Sequence, residues 1–329
     1  MAADFPILFF APSGPVEAIF TSGLLKRLSE EVEGARFTIV AGELTAPLFR
    51  EVPGLEAVII HGQTGAGAAF RLWRRLRRRR WGLVLDPQGG RMSGLLASRR
   101  KARPRASPPA GEHGVVTAAR LLRLEDEPPA PFLFTSAAIM QRASQLVGPG
   151  GPLLAIAPAA PWIGQAWPVE RFARAAVHLL SDAGPLAHGR LMIIGGPEDW
   201  KPAESLRRSL PRDRWIDLTG EGDPLVVHAA LAHARLFIGA AVGVTHLAAA
   251  AGSPTLGLYG PNDESVEGPW GELARTVRGP RGFAAIHAVD PTLTQPVCHM
   301  HDLQVETVLA AAEQLLSDTT PKELRRGHG

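Results

Sequence analysis

Residues 236–271, LFIGAAVGVTHLAAAAGSPTLGLYGPNDESVEGPWG, admit few folds. An apolar run from Leu236 to Ile238 passes through small residues to Gly243. Helical spacing then holds over 244–251, Gly252 and Pro254 stop it, and a second apolar run, 255–259, ends at Gly260-Pro261. Strand, tight turn, helix, turn and strand in that order make a parallel βαβ unit, so the chain must carry a sheet with helices on it. The turn also has a chemistry. Gly243 lets backbone approach a ligand, and the first amides of the helix, at Gly243, Val244 and Thr245, point outward with the positive end of the helix dipole behind them, a place for a diphosphate. Thr245 adds a hydroxyl and His246 a donor, although a histidine this close to an apolar helix is more often a packed core residue.

The same alternation runs along the rest of the chain. Apolar strands are expected at 6–10, 37–40, 57–60 and 82–86, with helices at 18–32, near 47–51 and at 71–80. Further strands follow at 153–157, 191–196 and 216–220, and a helix at 224–234. Strands alternating with helices specify doubly wound parallel sheets. At 329 residues the chain is long for one core, so two domains are expected. GPGGP at 148–152 has no helix or strand potential and reads as a linker. The division is then 1–147 and 153–300, followed by an amphipathic terminal helix at 301–317 and a polar, basic, frayed tail at 318–329.

Composition excludes several classes. Cys298 is the only cysteine, which rules out an intrachain disulfide and a zinc site built on several cysteines, and a reducing cytoplasm is the natural home. His299 and His301 beside it are too compressed for a closed metal site, and no other His/Asp/Glu set has metal spacing. The N-terminus resembles a buried first strand more than a signal peptide, and no apolar stretch is long enough to span a bilayer. The formal net charge is only +3, but cations cluster in RLWRRLRRRRW and SRRKARPR between Arg71 and Arg105. Such clusters suit phosphate, nucleic acid or an anionic membrane surface, or are simply solvated helix faces.

GVTHLAAAAGSPTLGLYGP followed by GPWG resembles the C-terminal motif of the glycosyltransferase family nine enzymes, the ADP-heptose:lipopolysaccharide heptosyltransferases. ILFFAPSGPVEAIFTSGLLKRL resembles their N-terminal pattern of strand, glycine turn, acidic residue and helix. RRLRRRRWGLVLDPQGGRMSGLLASRR resembles their basic helix, strand and turn, and APAAPWIGQAWPVERFARAA their Pro-Gly-Ala and Arg-Trp-Pro segment. The resemblance covers nearly the whole chain. It implies the GT-B fold, two Rossmann-like α/β domains with doubly wound parallel sheets facing across a cleft, the terminal helix commonly returning across it.

The resemblance also implies a reaction: a sugar, heptose from ADP-heptose, is transferred with inversion and without a metal or other cofactor onto lipopolysaccharide core or a related lipid-linked saccharide. Partners are then the nucleotide-sugar donor, the acceptor and an anionic inner membrane surface, with no nucleic acid, and the protein is cytoplasmic or peripheral to the inner membrane. Glu17 falls where the family carries its catalytic Asp; alone it would read equally well as a carboxylate favouring its own helix N-terminus. Gln165, Gly243, Val244, Thr245 and His246 fall on the donor site. Ser13, Gly14, Asp86, Gln88, Pro158, Gly195 and Gly196 fall around the cleft, although an Asp at the position of Asp86 also caps turns. Val16 replaces the family's glycine before the acidic residue, and three polar contacts are lost: Ala241 and Val242 replace an Asp and a Ser/Thr, and Gln165 replaces a Lys. These losses favour a second reading, a non-catalytic or donor-altered homologue with a binding or assembly role.

Overall fold

The runs WGLVL, LLAIA and TLGLY are buried along their whole length, the pattern of strands covered on both faces, and each lies inside a parallel sheet. The computed structural model describes residues 4–62, 66–240 and 243–319, and the chain forms two units, Met1–Ser136 and Ala137–Gly329.

The first unit contains β1 (Phe5–Phe10), α1 (Pro15–Glu31), β2 (Ala35–Ala41), β3 (Leu55–Ile60), α2 (Ala66–Leu76), β4 (Trp81–Leu85), α3 (Arg91–Gly94), β5 (Ser98–Ala102) and α4 (Gly114–Ala119). Its strands are parallel in the order β3-β2-β1-β4-β5. Successive side chains of β1 serve opposite faces. Leu8 joins Leu72 and Leu76 of α2 and Leu96 in one core, whereas Phe9 meets Phe49 of the 3-10 turn Ala46–Phe49 edge-on at 5.5 Å.

Two features differ from expectation. The basic helix starts earlier and stops at Leu76, so Arg77 to Arg80 form a turn. Continuing it would stack Arg74 under Arg78 and Arg75 under Arg79, like charges at i,i+4, and the Leu76 carbonyl instead accepts from the Trp81 indole at 3.1 Å. SRRKA, read only as a charge cluster, is the edge strand β5, with Arg99, Arg100 and Lys101 exposed, as suits an unpaired sheet edge.

The second unit contains α5 (Ala137–Val147), β6 (Leu153–Ala157), α6 (Val169–Leu179), β7 (Arg190–Ile193), α7 (Trp200–Arg208), β8 (Trp215–Asp217), α8 (Pro224–Leu231), β9 (Leu236–Ala240), α9 (Gly243–Ala250), β10 (Thr255–Tyr259), α10 (Glu264–Glu267), β11 (Ala274–Arg278), α11 (Phe283–Val289) and α12 (Val305–Asp318). Its parallel sheet runs β11-β10-β9-β6-β7-β8. The βαβ unit is as expected, with Leu256 of β10 opposite Ile238 of β9. Ala241 and Val242 lie outside the described residues.

Helix α5 packs on α8, and Arg142 pairs with Glu221 at 2.9 Å. GPGGP therefore joins α5 to β6 within this unit. Gly148 adopts φ 62, and Arg190 holds the Val147 and Gly148 carbonyls at 2.9 and 3.0 Å. The terminal helix α12 packs on α6, β10 and β11, with Val308, Ala312 and Leu315 in the core beside Leu154, Phe172 and Leu256. Trp167, 1% exposed, locks the helix's approach: its indole donates to the Leu303 carbonyl at 2.9 Å and its ring meets Phe172 edge-on at 4.7 Å.

Candidate active site

In open parallel sheets ligands bind beyond the carboxyl ends of the strands where the strand order reverses. The first sheet reverses between β1 and β4. Pro12, Ser13, Gly14 and Glu17, which follow β1, and Pro87 and Gln88, which follow β4, line one cavity of about 900 Å³. That is the upper range for a small-molecule site. Glu17 lies in the first turn of α1, which begins at Pro15 after the N-cap Gly14. A Cβ built on Gly14 would stand 2.0 Å from Glu17 Oε2, so the glycine leaves the carboxylate room to lie against the turn.

The other walls of this cavity are cationic. Arg100, Lys101, Arg103 and Arg105 enter from β5 and the segment after it, and Arg120 and Arg123 from the end of α4. Some of this charge is spent. Arg103 donates to the Gly89 and Gly90 carbonyls, Lys101 to the Gly94 carbonyl, and Arg120 pairs with Glu112 at 2.7 Å. The hydrogen bond from Arg120 holds the Glu112 carboxyl below the usual carboxylate range, more than offsetting its partial burial. Arg100, Arg105 and Arg123 have no ion-pair partner among the described residues, and Arg123 sits at φ 64, a backbone region a non-glycine residue seldom adopts. Glu125 also lines the cavity and lies 3.6 Å from Arg120, so three guanidiniums without an ion pair beside the Glu17 carboxylate suit an anionic ligand that presents a hydroxyl.

Asp86 belongs to the frame of this site. It is 2% exposed; Oδ1 accepts the Gln88 and Gly89 amides, each at 3.1 Å, and Oδ2 accepts the Ser93 hydroxyl. The carboxylate is thus consumed in capping the turn that presents Gln88 to the cavity.

The second sheet reverses between β6 and β9. Pro158 follows β6, Gly195 and Gly196 follow β7, Gly243 opens α9 after β9, and Gly260-Pro261 follows β10, so these residues share one carboxyl edge. Gly195 accepts the Gly220 amide at 3.0 Å, and Gly196 donates to Asp199 at 2.7 Å, which closes the turn. Gly243 and Val244 are half-buried at the helix N-terminus, where their amides face the edge.

Thr245 departs from expectation. It is fully buried and its hydroxyl donates to the Ala240 carbonyl, so it ties the turn together and offers no hydroxyl to a ligand. His246 is 2% exposed. Gln165 ends the 3-10 turn Ile163–Gln165; its amide donates to Asn262, which in turn donates to Glu267 at 2.9 Å. The neighbouring arginines are likewise engaged, Arg278 with Glu264 and the Asn262 carbonyl, Arg281 with Asp302 and the His299 carbonyl.

Sequence reasoning missed two features. Arg120 and Arg123 reach the first cavity from a segment with no motif, and only the Arg100 to Arg105 run announced the charge. The other is a buried pair, Asp290 and His299, at 3.1 Å. Burial would raise the Asp290 carboxyl, but hydrogen bonds from His299 and from the Thr294 and Gln295 amides outweigh it and hold it below the ordinary range. His299 meets Trp162 edge-on at 5.8 Å and its amide donates to the Gly164 carbonyl, so the pair braces the turn that carries Gln165. Among the described residues no group of His, Cys, Asp or Glu is placed to hold a metal ion, and no helix is long and apolar enough to cross a membrane.

Two parallel-sheet α/β units of this kind are those of the GT-B fold, and solved glycosyltransferases share that fold along nearly the whole chain. A glycosyltransferase family 9 protein from Veillonella parvula superposes with a TM-score of 0.79 at 16% identity, over 97% of this chain and 99% of that one. Escherichia coli ADP-heptose lps heptosyltransferase II gives 0.75 at 18% identity over 95% and 99%, and the E. coli heptosyltransferase WaaC, solved with ADP, gives 0.69 at 18% over 94% and 100%. The model of glycosyltransferase family 9 (heptosyltransferase) matches residues 90–292, more than half of the chain, and the protein belongs to that family. No curated protein matches it in sequence.

Proposed function

We propose that the protein transfers a sugar, heptose from ADP-heptose, onto lipopolysaccharide core or a related lipid-linked acceptor, with inversion and without a metal. The observation that carries this reading is Glu17 on the rim of an arginine-walled cavity in a family 9 chain. The two halves of the reaction divide between the units. In the first, Arg100, Arg105 and Arg123 hold the anionic groups of the acceptor, and Glu17 takes the proton from the attacking hydroxyl as the new glycosidic bond forms. In the second, the Gly243 and Val244 amides receive the diphosphate of the donor, whose bond to the anomeric carbon breaks as the nucleoside diphosphate leaves with the bonding electrons. The cytoplasmic face of a membrane, where a lipid-linked acceptor is anchored, is the place of action.

Glycine at position 14 is part of this design. Its φ of −80° is open to any residue, so Gly14→Ala should fold normally, at a cost no greater than the ~1 kcal/mol of a weakened N-cap. The added methyl displaces the carboxylate, and a reacting group moved by about 1 Å loses on the order of 100-fold in rate. Steady-state assay of Gly14→Ala against the parent should show that loss in kcat with little change in donor KM. Equal kcat values would detach Glu17 from the chemistry.

A second reading, a non-catalytic or donor-altered homologue, is favoured by one set of observations: Thr245, Gln165, Arg278 and Arg281 all spend their polar groups within the protein. A charged contact to phosphate is worth about 1.5–3 kcal/mol, so its absence weakens donor binding substantially. Isothermal titration with ADP, UDP and GDP separates the readings. The transferase reading expects ADP to bind, with UDP or GDP in its place marking an altered donor; heat from none of the three would leave the binding role standing.

A further inference from the structure

Helix α2 carries a surface that does not line the cavity of the first unit. Seven arginines fall between Arg71 and Arg80, and no carboxylate occurs in sequence between Glu56 and Asp86. Leu72 and Leu76 turn inward to the core, and Trp73 packs against it half-buried. The outward face is therefore Gly67, Phe70, Arg71, Arg74 and Arg75, continued past the helix end by Arg77 and Arg78. Arg79 pairs with Glu56 and Arg77 lies over the Trp73 ring at 4.4 Å. Among the described residues Arg74, Arg75, Arg78 and Arg80 make no ion pair. The helix dipole favours a cation or two in the last turn, not a whole face of them, and among the described residues no carboxylate pairs with Arg74, Arg75, Arg78 or Arg80 to relieve the like-charge repulsion. In the midst of this charge Phe70 is 58% exposed, its ring 5.8 Å from that of Trp73.

We infer that this face of α2 docks on a lipid bilayer rich in anionic headgroups. Arginine heads reach phosphate while their stems lie along the apolar boundary, and an aromatic ring among them enters the acyl layer, the arrangement of an interfacial amphipathic helix. Nucleic acid fits less well, because from Ala66 to Arg80 there is no Asn, Gln, Ser, Thr or Tyr to address bases, and the exposed ring is isolated rather than one of a series. The inference stands on the helix alone and survives a failure of the transfer reading.

The test is sedimentation of the full chain with vesicles of phosphatidylcholine alone, of phosphatidylcholine mixed with phosphatidylglycerol, and of phosphatidylcholine mixed with a cationic lipid. Binding is expected only to the phosphatidylglycerol vesicles, and it should fall as salt rises. Each arginine near an anionic surface contributes roughly fivefold in partitioning, so the triple variant R74Q/R75Q/R78Q should bind on the order of 100-fold more weakly. Phe70→Ser should lose several-fold without changing the salt dependence. Equal binding to all three vesicle types would overturn the inference without recourse to any variant. So would a folded triple variant that binds like the parent, or an RNA homopolymer whose binding is lost in that variant while vesicle binding persists.

Discussion

Glu17→Gln is expected to reduce kcat by about 100- to 10,000-fold, the range a positioned general base contributes, with ADP affinity unchanged. The substitution keeps the shape of the side chain at the rim of the first cavity and removes only its ability to accept a proton. Nucleotide affinity should not move, because the residues proposed to bind the donor belong to the other unit and to a different sheet. Turnover with ADP-heptose and a lipid-linked saccharide acceptor, measured beside titration of ADP, gives both quantities. A variant as fast as its parent would show that the base lies elsewhere. Arg123→Gln offers the complementary result, a raised acceptor KM with kcat nearly kept, since a guanidinium that binds acceptor charge acts equally in ground and transition states.

The second large effect concerns stability. Trp167→Ala should destabilise the second unit by about 3–5 kcal/mol, the usual cost of truncating a buried Trp. The side chain is 1% exposed, its ring sits against Phe172, and its indole N–H satisfies the Leu303 carbonyl at the approach to α12. Arg171 also donates to that carbonyl, so Trp167→Phe, which keeps most of the packing, should lose clearly less than the alanine variant. Calorimetry should show one of two transitions moved down by on the order of 10 °C, the other unaffected. A shift confined to about 1 kcal/mol would mean that Leu303 and α12 are held by something other than this contact.

Much of the fold was legible because parallel strands buried on both faces are continuous apolar runs, as LLAIA and TLGLY show, and because glycine and proline punctuate the turns between them. Less legible was anything decided by tertiary partners. SRRKA is a strand only because β4 offers it a parallel neighbour, and α5 joins the second unit because α8 presents a face to it. Propensity contains neither fact. Ser13, Gly14 and Glu17, placed by the resemblance, and Gln88, placed at the end of a strand, line one cavity after β1 and β4. Side-chain allegiance did not follow. Asp86 and Thr245 sit where the motifs put them yet turn their polar atoms into the frame, a choice made by Ser93 and the Ala240 carbonyl.

The strand order of the second sheet governs when that unit can exist at all. Its central strand β6 is flanked on one side by β7, some 35 residues on, and on the other by β9, whose Leu236 stands opposite Leu154. The core also takes in α12, through Val308, Ala312 and Leu315. The first sheet, by contrast, is complete once β5 has been made. As the chain emerges in order of synthesis, the first unit has all its strands while β6, β7 and β8 still hold an open apolar edge awaiting β9, and contacts of such long sequence separation form slowly. The interval between β8 and α12 is thus the time in its life when this protein most needs protection from its neighbours.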